Sequence, residues 1–370
     1  MLKHYFGATR FSIVSPDSGS WRLSRGEGRT DAESYSQKLF APERMGPRVQ
    51  IFCELAAPLY QQMAERHAFR HFVYYSPLLP ERWRRELDAA AQTYPVLELV
   101  PVESDQLDAL ERMEGHLART AGDQQALVFA FRIDDDDLLS ADYLDQVEPY
   151  LIEAHEGYAV SFASGYAGFF ENGGYSLLRR HYQPMSSMGQ GAIGRWLPET
   201  QSLRIEEIRN HAHTAKMRPA IVDAQRPTCI QTRHLQQDTA TEQGHLSSQT
   251  EADSAQQQAD RLRNALLAKM LRADPVADTE LIFTQFPTLE GHCDVQAAAA
   301  LVEQEEAAAA AKKAAAEEAA AARKAAAAAR AAAEREAAQR QAALDARPWR
   351  RARRLARRGL RRLTSGRSGR

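Results

Sequence analysis

The chain has 370 residues, 44% of them hydrophobic, with 47 basic against 49 acidic residues and a net charge of −2, enough apolar material for one substantial α/β domain. Cys53, Cys229 and Cys293 stand far apart without CxxC spacing, which speaks against a disulfide framework or a zinc site and fits a reducing cytoplasm. Met1 to Val14 lacks an apolar core and cleavage site, and no run of about eighteen apolar residues occurs, so export by a signal peptide and membrane spanning are not expected.

In chain order, Phe6–Val14, His71–Ser76, Val96–Val102, Leu127–Ile133, Tyr158–Ala163 and Thr228–Arg233 read as strands. Between them Ile51–His67, Glu81–Thr93, Leu107–Ala118 and Ala141–Ala154 carry helical spacing, with Pro58 expected to kink the first or delay its start. Such alternation predicts a mainly parallel sheet covered on both faces, Rossmann-like but without GxGxxG after the first strand. The glycines of Gly165–Gly168, Gly173–Gly174 and Gly189–Gly194 read as loops over a site or as ordinary turns. Leu203–Met217 reads as a helix carrying His211 and His213, which two residues apart would face different ways.

The most informative junction is Leu127–Ile133 followed by Asp134, Asp135, Asp136 and Asp137. Leu127, Phe129, Phe131 and Ile133 alternate with Val128, Ala130 and Arg132, so the carboxylates stand at the carboxyl end of a strand, where open α/β sheets bind ligands. Adjacent acids repel unless something neutralises them, and a divalent metal carrying phosphate oxygens is a natural counter-charge. A solvated turn or helix start is the bland alternative. An EF-hand is excluded, because from Asp134 the sixth position is Leu139 and the twelfth Asp145 instead of Gly and Glu.

A strand ending in an aspartate cluster within about 240 residues of α/β alternation resembles the DxD signature of GT-A glycosyltransferases. Thr9-Arg10-Phe11-Ser12, Leu79-Pro80, Phe131-Arg132-Ile133-Asp134-Asp135-Asp136-Asp137 and the Pro227–His234 stretch are similar to the rhamnosyltransferase family of bacterial surface-polysaccharide enzymes. The resemblance implies a GT-A-like, Rossmann-type mixed sheet flanked by helices over residues 1–240, a nucleotide-sugar donor, a glycan or lipid-linked acceptor, and manganese or magnesium as cofactor. It implies a metal on Asp134, Asp136 and His234, with the pair Asp136 and Asp137 left open as the carboxylate ligands. Arg10, Asp134 and Asp135 are the nucleotide-sugar candidates, and Asp137 and Glu171 the candidate catalytic carboxylates. His211 and His213 are weaker ligands.

Residues 241–295 read as a polar linker followed by a helix, with Leu262, Leu266, Leu267, Met270 and Leu271 spaced to pack back on the domain. Residues 296–346 are mostly Ala with Glu, Lys and Arg blocks, a helical spacer of roughly 75 Å too poor in Leu and Val for a coiled-coil seam. Arg347–Arg370 holds eleven arginines and no acid, so residues 1–346 carry −13, the −2 of the chain less those eleven charges. On a helical projection Trp349, Leu355, Leu360 and Leu363 gather on one arc and the arginines from Arg350 to Arg362 on the other, which predicts a peripheral anchor on the anionic inner face of a membrane, with nucleic acid the competing partner. A noncatalytic scaffold built on a degenerate nucleotide-sugar domain is the alternative for the whole chain.

Overall fold

The computed structural model describes residues 1–15, 32–104, 107–206, 211–235, 255–274, 276, 279–293, 295–346, 349 and 352–356. Among them the strands are β1 (Leu2–Phe11), β2 (Phe69–Tyr75), β3 (Leu97–Pro101), β4 (Ala126–Asp134), β5 (Leu138–Leu139), β6 (Ala159–Phe162), β7 (Ser164–Glu171), β8 (Gly174–Tyr182), β9 (Gly191–Leu197), β10 (Ser202–Arg204), β11 (Ala220–Asp223) and β12 (Cys229–Arg233). They form a larger sheet in the order β11-β6-β9-β4-β1-β2-β3, with β10 on β9, and a smaller one in the order β5-β12-β7-β8.

β1, β2, β3 and β4 pair in parallel, as the alternation predicts. β9 then enters antiparallel between β4 and β6 and makes the sheet mixed. Period-two patterning sorts β4 between two cores. Leu127, Phe129, Phe131 and Ile133 lie in the larger one, while Ala126 and Val128 pack with Phe6, Phe72, Leu117 and Trp196 on the opposite face.

The helix expected over Ile51–His67 is the end of a longer run. Pro42–Gln50 passes into a π segment, Ile51–Ala56, and on into Ala57–Ala64. Pro58 cannot donate and crowds the carbonyl four residues back, and here the ladder widens just before it, with the Ala57 amide bonding Phe52. The Ala141–Ala154 helix shortens to Tyr143–Val147, because Pro149 turns the chain into the 3-10 segments Glu148–Tyr150 and Glu153–His155.

The loop expectation for the glycine-rich stretches is corrected in part: Gly165, Gly168, Gly174, Gly191 and Gly194 belong to β7, β8 and β9, while Gly173 forms an ordinary turn between β7 and β8 and Gly189 precedes β9. A Cβ on Gly165 would meet Cys229, and one on Gly191 would overlap the Phe129 ring, so close backbone approach is the reason for glycine here. The Leu203–Met217 helix is likewise replaced by β10, the 3-10 turn His211–His213 and the short helix Thr214–Met217. Leu203 pairs with Trp196 across the β9 ladder and is buried, so tertiary pairing overrides the local helical pattern.

The helix Ala255–Met270 packs Leu267 and Met270 against Ala167, Phe169 and Leu177. The helix Thr279–Gln285 and the turn after it add Ile282, Phe286 and Leu289 to the main core. Residues 1–302 form one compact unit and 303–370 a second. Of the expected polar linker and helix, 241–254, 275, 277–278 and 294 lie outside the described residues. A single helix, Val295–Asp345, carries the Ala-rich stretch, exposed along its described side chains from 313 to 344. Of the basic tail only 349 and 352–356 are described, with Trp349 and Leu355 exposed; the rest of its amphipathic pattern lies outside the described residues. No described helix is long and apolar enough to cross a membrane.

Candidate functional site

β4 ends at Asp134 and the chain then crosses from the larger sheet to the smaller one, where β5 pairs with β12. Asp135, Asp136 and Asp137 are the crossing. The Asp137 amide closes the turn onto the Asp134 carbonyl at 3.4 Å. Asp134 stays accessible at the strand end, while the other three are buried.

Each buried carboxylate has its own partner. Arg48 bridges two of them, with Nη1 on Asp135 Oδ1 and Nη2 2.9 Å from Asp136 Oδ2. Asp135 Oδ2 also accepts from the Ser12 hydroxyl at 3.3 Å, and Ser12 in turn accepts from Arg44 Nη1 at 3.0 Å. Asp136 Oδ2 lies 3.1 Å from His234 Nε2, just past the end of β12. Asp137 Oδ1 accepts the Thr232 amide at 2.9 Å. Ser12 holds a left-handed backbone, φ 49°, which a non-glycine residue keeps only where its surroundings enforce it.

These partners separate the acids electrostatically. Burial, then the charges of Asp136 and Asp134, push Asp137 well above the ordinary carboxylate value. Burial pushes Asp135 up as well, with Arg48 opposing. Asp136 goes the other way: burial works against its charge, but Arg48 and His234 outweigh it and hold the carboxyl down. Asp134 is also shifted up, by the surrounding protein and then by the charge of Asp136, with Arg132 and Arg48 opposing.

Arg10 stands opposite Asp134 in the β1–β4 ladder. His211, half-buried, lies within the field of Asp134 and Arg132, and its carbonyl accepts from Gln190 at 3.4 Å. His213 is exposed. Glu171 goes elsewhere: both its oxygens take Arg263, at 2.7 and 2.6 Å, and one takes Ser176 at 2.7 Å. Those contacts hold its carboxyl below the ordinary value, the opposite of what a general base near neutrality needs.

Arg44, Arg48, Ser12 and Thr232 are the site residues that sequence reasoning missed. A signal for two of them existed. Arg44 and Arg48, four apart, share a helix with the buried Met45 and Val49, and both arginines are themselves buried. Cations on a face that meets the core announce buried acids opposite them.

Among the described residues no cluster of three or more His, Cys, Asp or Glu side chains is preformed to hold a metal. The donor chemistry nonetheless fits a divalent cation in part. Two ligands at about 2.1 Å and a right angle stand about 3 Å apart, and Asp136 Oδ2 and His234 Nε2 are 3.1 Å apart, with Asp134 accessible two residues before Asp136. Arg48 contends for the same Asp136 oxygen.

A family described as "Putative rhamnosyl transferase" matches residues 4–246. No curated protein matches the chain. Among solved structures, a 4-diphosphocytidyl-2C-methyl-D-erythritol synthase aligns at 13% identity over 60% of this chain and 90% of its own, with a TM-score of 0.28. TarS 1-349 from S. aureus in complex with UDP-GlcNAc aligns at 10% identity over 74% and 68%, TM-score 0.29. HddC from Yersinia pseudotuberculosis aligns at 9% identity over 62% and 90%, TM-score 0.27. Scores this low leave the site to be argued from its own residues. The family match covers well over half of the length, and the chain therefore belongs to the rhamnosyl transferase family.

Proposed function

We propose that this glycosyltransferase-family chain moves a sugar, rhamnose by the family description, from a nucleotide-sugar donor to a glycan or lipid-linked acceptor, with manganese or magnesium at the acidic turn. The observation carrying this reading is the meeting of Asp136, in the turn between the two sheets, with His234, just past β12, while Asp134, two residues before Asp136, is accessible. Asp134, Asp136 and His234 would hold the cation, which when bound supplies counter-charge to a diphosphate leaving group. Asp135, tied to Arg48 and Ser12, keeps the turn in shape. Arg10 at the end of β1 offers a guanidinium fork to the diphosphate beside Asp134. Asp137, raised and anchored on the Thr232 amide, would face sugar or ribose hydroxyls. The arginine-rich tail would bring the enzyme to the anionic inner face of a membrane, where a lipid-linked acceptor lies.

The test is a donor-hydrolysis and transfer screen over nucleotide-sugars with manganese, with magnesium and with chelator. One donor should turn over only with metal. Replacing Asp134 and Asp136 together by Asn should cut that turnover about 100-fold or more with an unchanged circular dichroism spectrum, because neutral amides are poor ligands for a hard cation. Normal turnover by the double variant removes the assignment.

A further inference from the structure

Arg48 is 5% exposed and reaches both Asp135 and Asp136 from the helix Pro42–Gln50. Arg44, one turn earlier on that helix, is fixed by the Ser12 hydroxyl and the Leu39 carbonyl, each at 3.0 Å. The helix leads directly into the π segment Ile51–Ala56, whose extra residue rotates everything before it relative to the core-packed Tyr60 and Met63. The arginine that reaches the acidic turn thus sits three residues before this backbone irregularity.

The contested atom is Asp136 Oδ2, 2.9 Å from Arg48 Nη2 and 3.1 Å from His234 Nε2. A divalent cation bound between Asp136 and His234 would stand within a few ångströms of the guanidinium. Two cations at that separation on one oxygen repel strongly in a buried setting. One must give way.

We propose that Arg48 is the resident counter-cation of the acidic turn and competes with a divalent cation for Asp136, so that metal affinity is set by how readily this arginine is displaced. The inference rests on the metal reading above. Asp135 stays with Arg48 in both states and gives the displaced guanidinium somewhere to remain, while Asp136 changes partner. Without metal the arginine neutralises two of the three buried carboxylates, Asp135 and Asp136, and the third, Asp137, rests on the Thr232 amide.

The measurement is manganese binding to the full chain, read by the loss of the free-ion electron paramagnetic resonance signal and by the shift of Tm on adding manganese. Wild type is compared with Arg48→Met and Arg48→Lys. Arg48→Met should bind manganese about tenfold or more tightly and gain more Tm from it than wild type, with Arg48→Lys between them, because Lys keeps the charge but cannot bridge two carboxylates. If Arg48→Met does not fold without metal, Arg48→Lys and its manganese-dependent Tm shift carry the comparison. Equal or weaker manganese binding in the variants, with wild type binding normally, overturns the competition and leaves the metal reading intact. No manganese binding by wild type or any variant overturns both.

Discussion

Asp136 and Asp137 are neighbours shifted in opposite directions: burial works on both, but Arg48 and His234 outweigh it at the first, while at the second the charges of Asp136 and Asp134 add to it. The stability that Asp136 contributes is present above its unfolded pKa and lost as pH falls through its depressed folded value. Asp137 favours the fold at low pH, an advantage lost as pH rises through its elevated value. His71 gives the clearest acid signature. It is fully buried against Tyr60, its Nε2 2.9 Å from Thr9 Oγ1, and burial lowers its pKa from 6.5 to about 3. Between those values the unfolded chain binds a proton that the native one does not, so stability falls as pH drops through the window, by about 1.4 kcal/mol per pH unit for this group. Chemical denaturation of metal-free protein across that range should show a steeper acid loss for wild type than for His71→Gln. Parallel slopes would mean that His71 is protonated in the native state.

Among the elements, β9 depends most on a missing side chain. Gly191 pairs with Phe131 and lies on the Phe129 ring, and a Cβ there meets backbone as well as ring atoms. Gly191→Ala should cost about 1–3 kcal/mol in urea unfolding with an unchanged m-value; a neutral result would mean that β9 can move away from β4. The strands were legible because their side chains alternate: all six expected strands are present, with shifted ends. The glycines of β7 and β9 were not, since their role is set by Cys229 and Phe129, residues far away in the chain. The same holds for β10, whose strand state comes from pairing with Trp196. At the candidate site, Asp134–Asp137 and His234 were readable as strand ends, and the structure brings Asp136 and His234 together. Arg44 and Arg48 were not recognised although they share a helix with Met45 and Val49, because an arginine in a helix ordinarily faces water and nothing local names its partners, Ser12 for Arg44 and, some ninety residues on, Asp135 and Asp136 for Arg48. Glu171 drew notice through its flanking glycines, whereas its actual partner, Arg263, arrives from a helix outside the strand-rich region.

At the scale of the whole molecule, the unit of residues 1–302 carries the cores and the acidic turn, and that of residues 303–370 carries exposed alanine, paired charges such as Arg340 with Glu336, and the basic end. Deleting Arg347–Arg370 should abolish co-sedimentation with anionic vesicles and leave turnover on a soluble acceptor analogue within about twofold, since each basic residue near such a surface is worth about 1 kcal/mol. Persistent vesicle binding by the truncated chain would place the membrane contact elsewhere. Within the first unit, the three aspartates after β4 are also a strap joining one sheet to the other. The chain changes sheets through the same residues whose carboxylates are held by Arg48, Ser12, His234 and the Thr232 amide, so a substitution that loosens those contacts also slackens a covalent link between the two sheets.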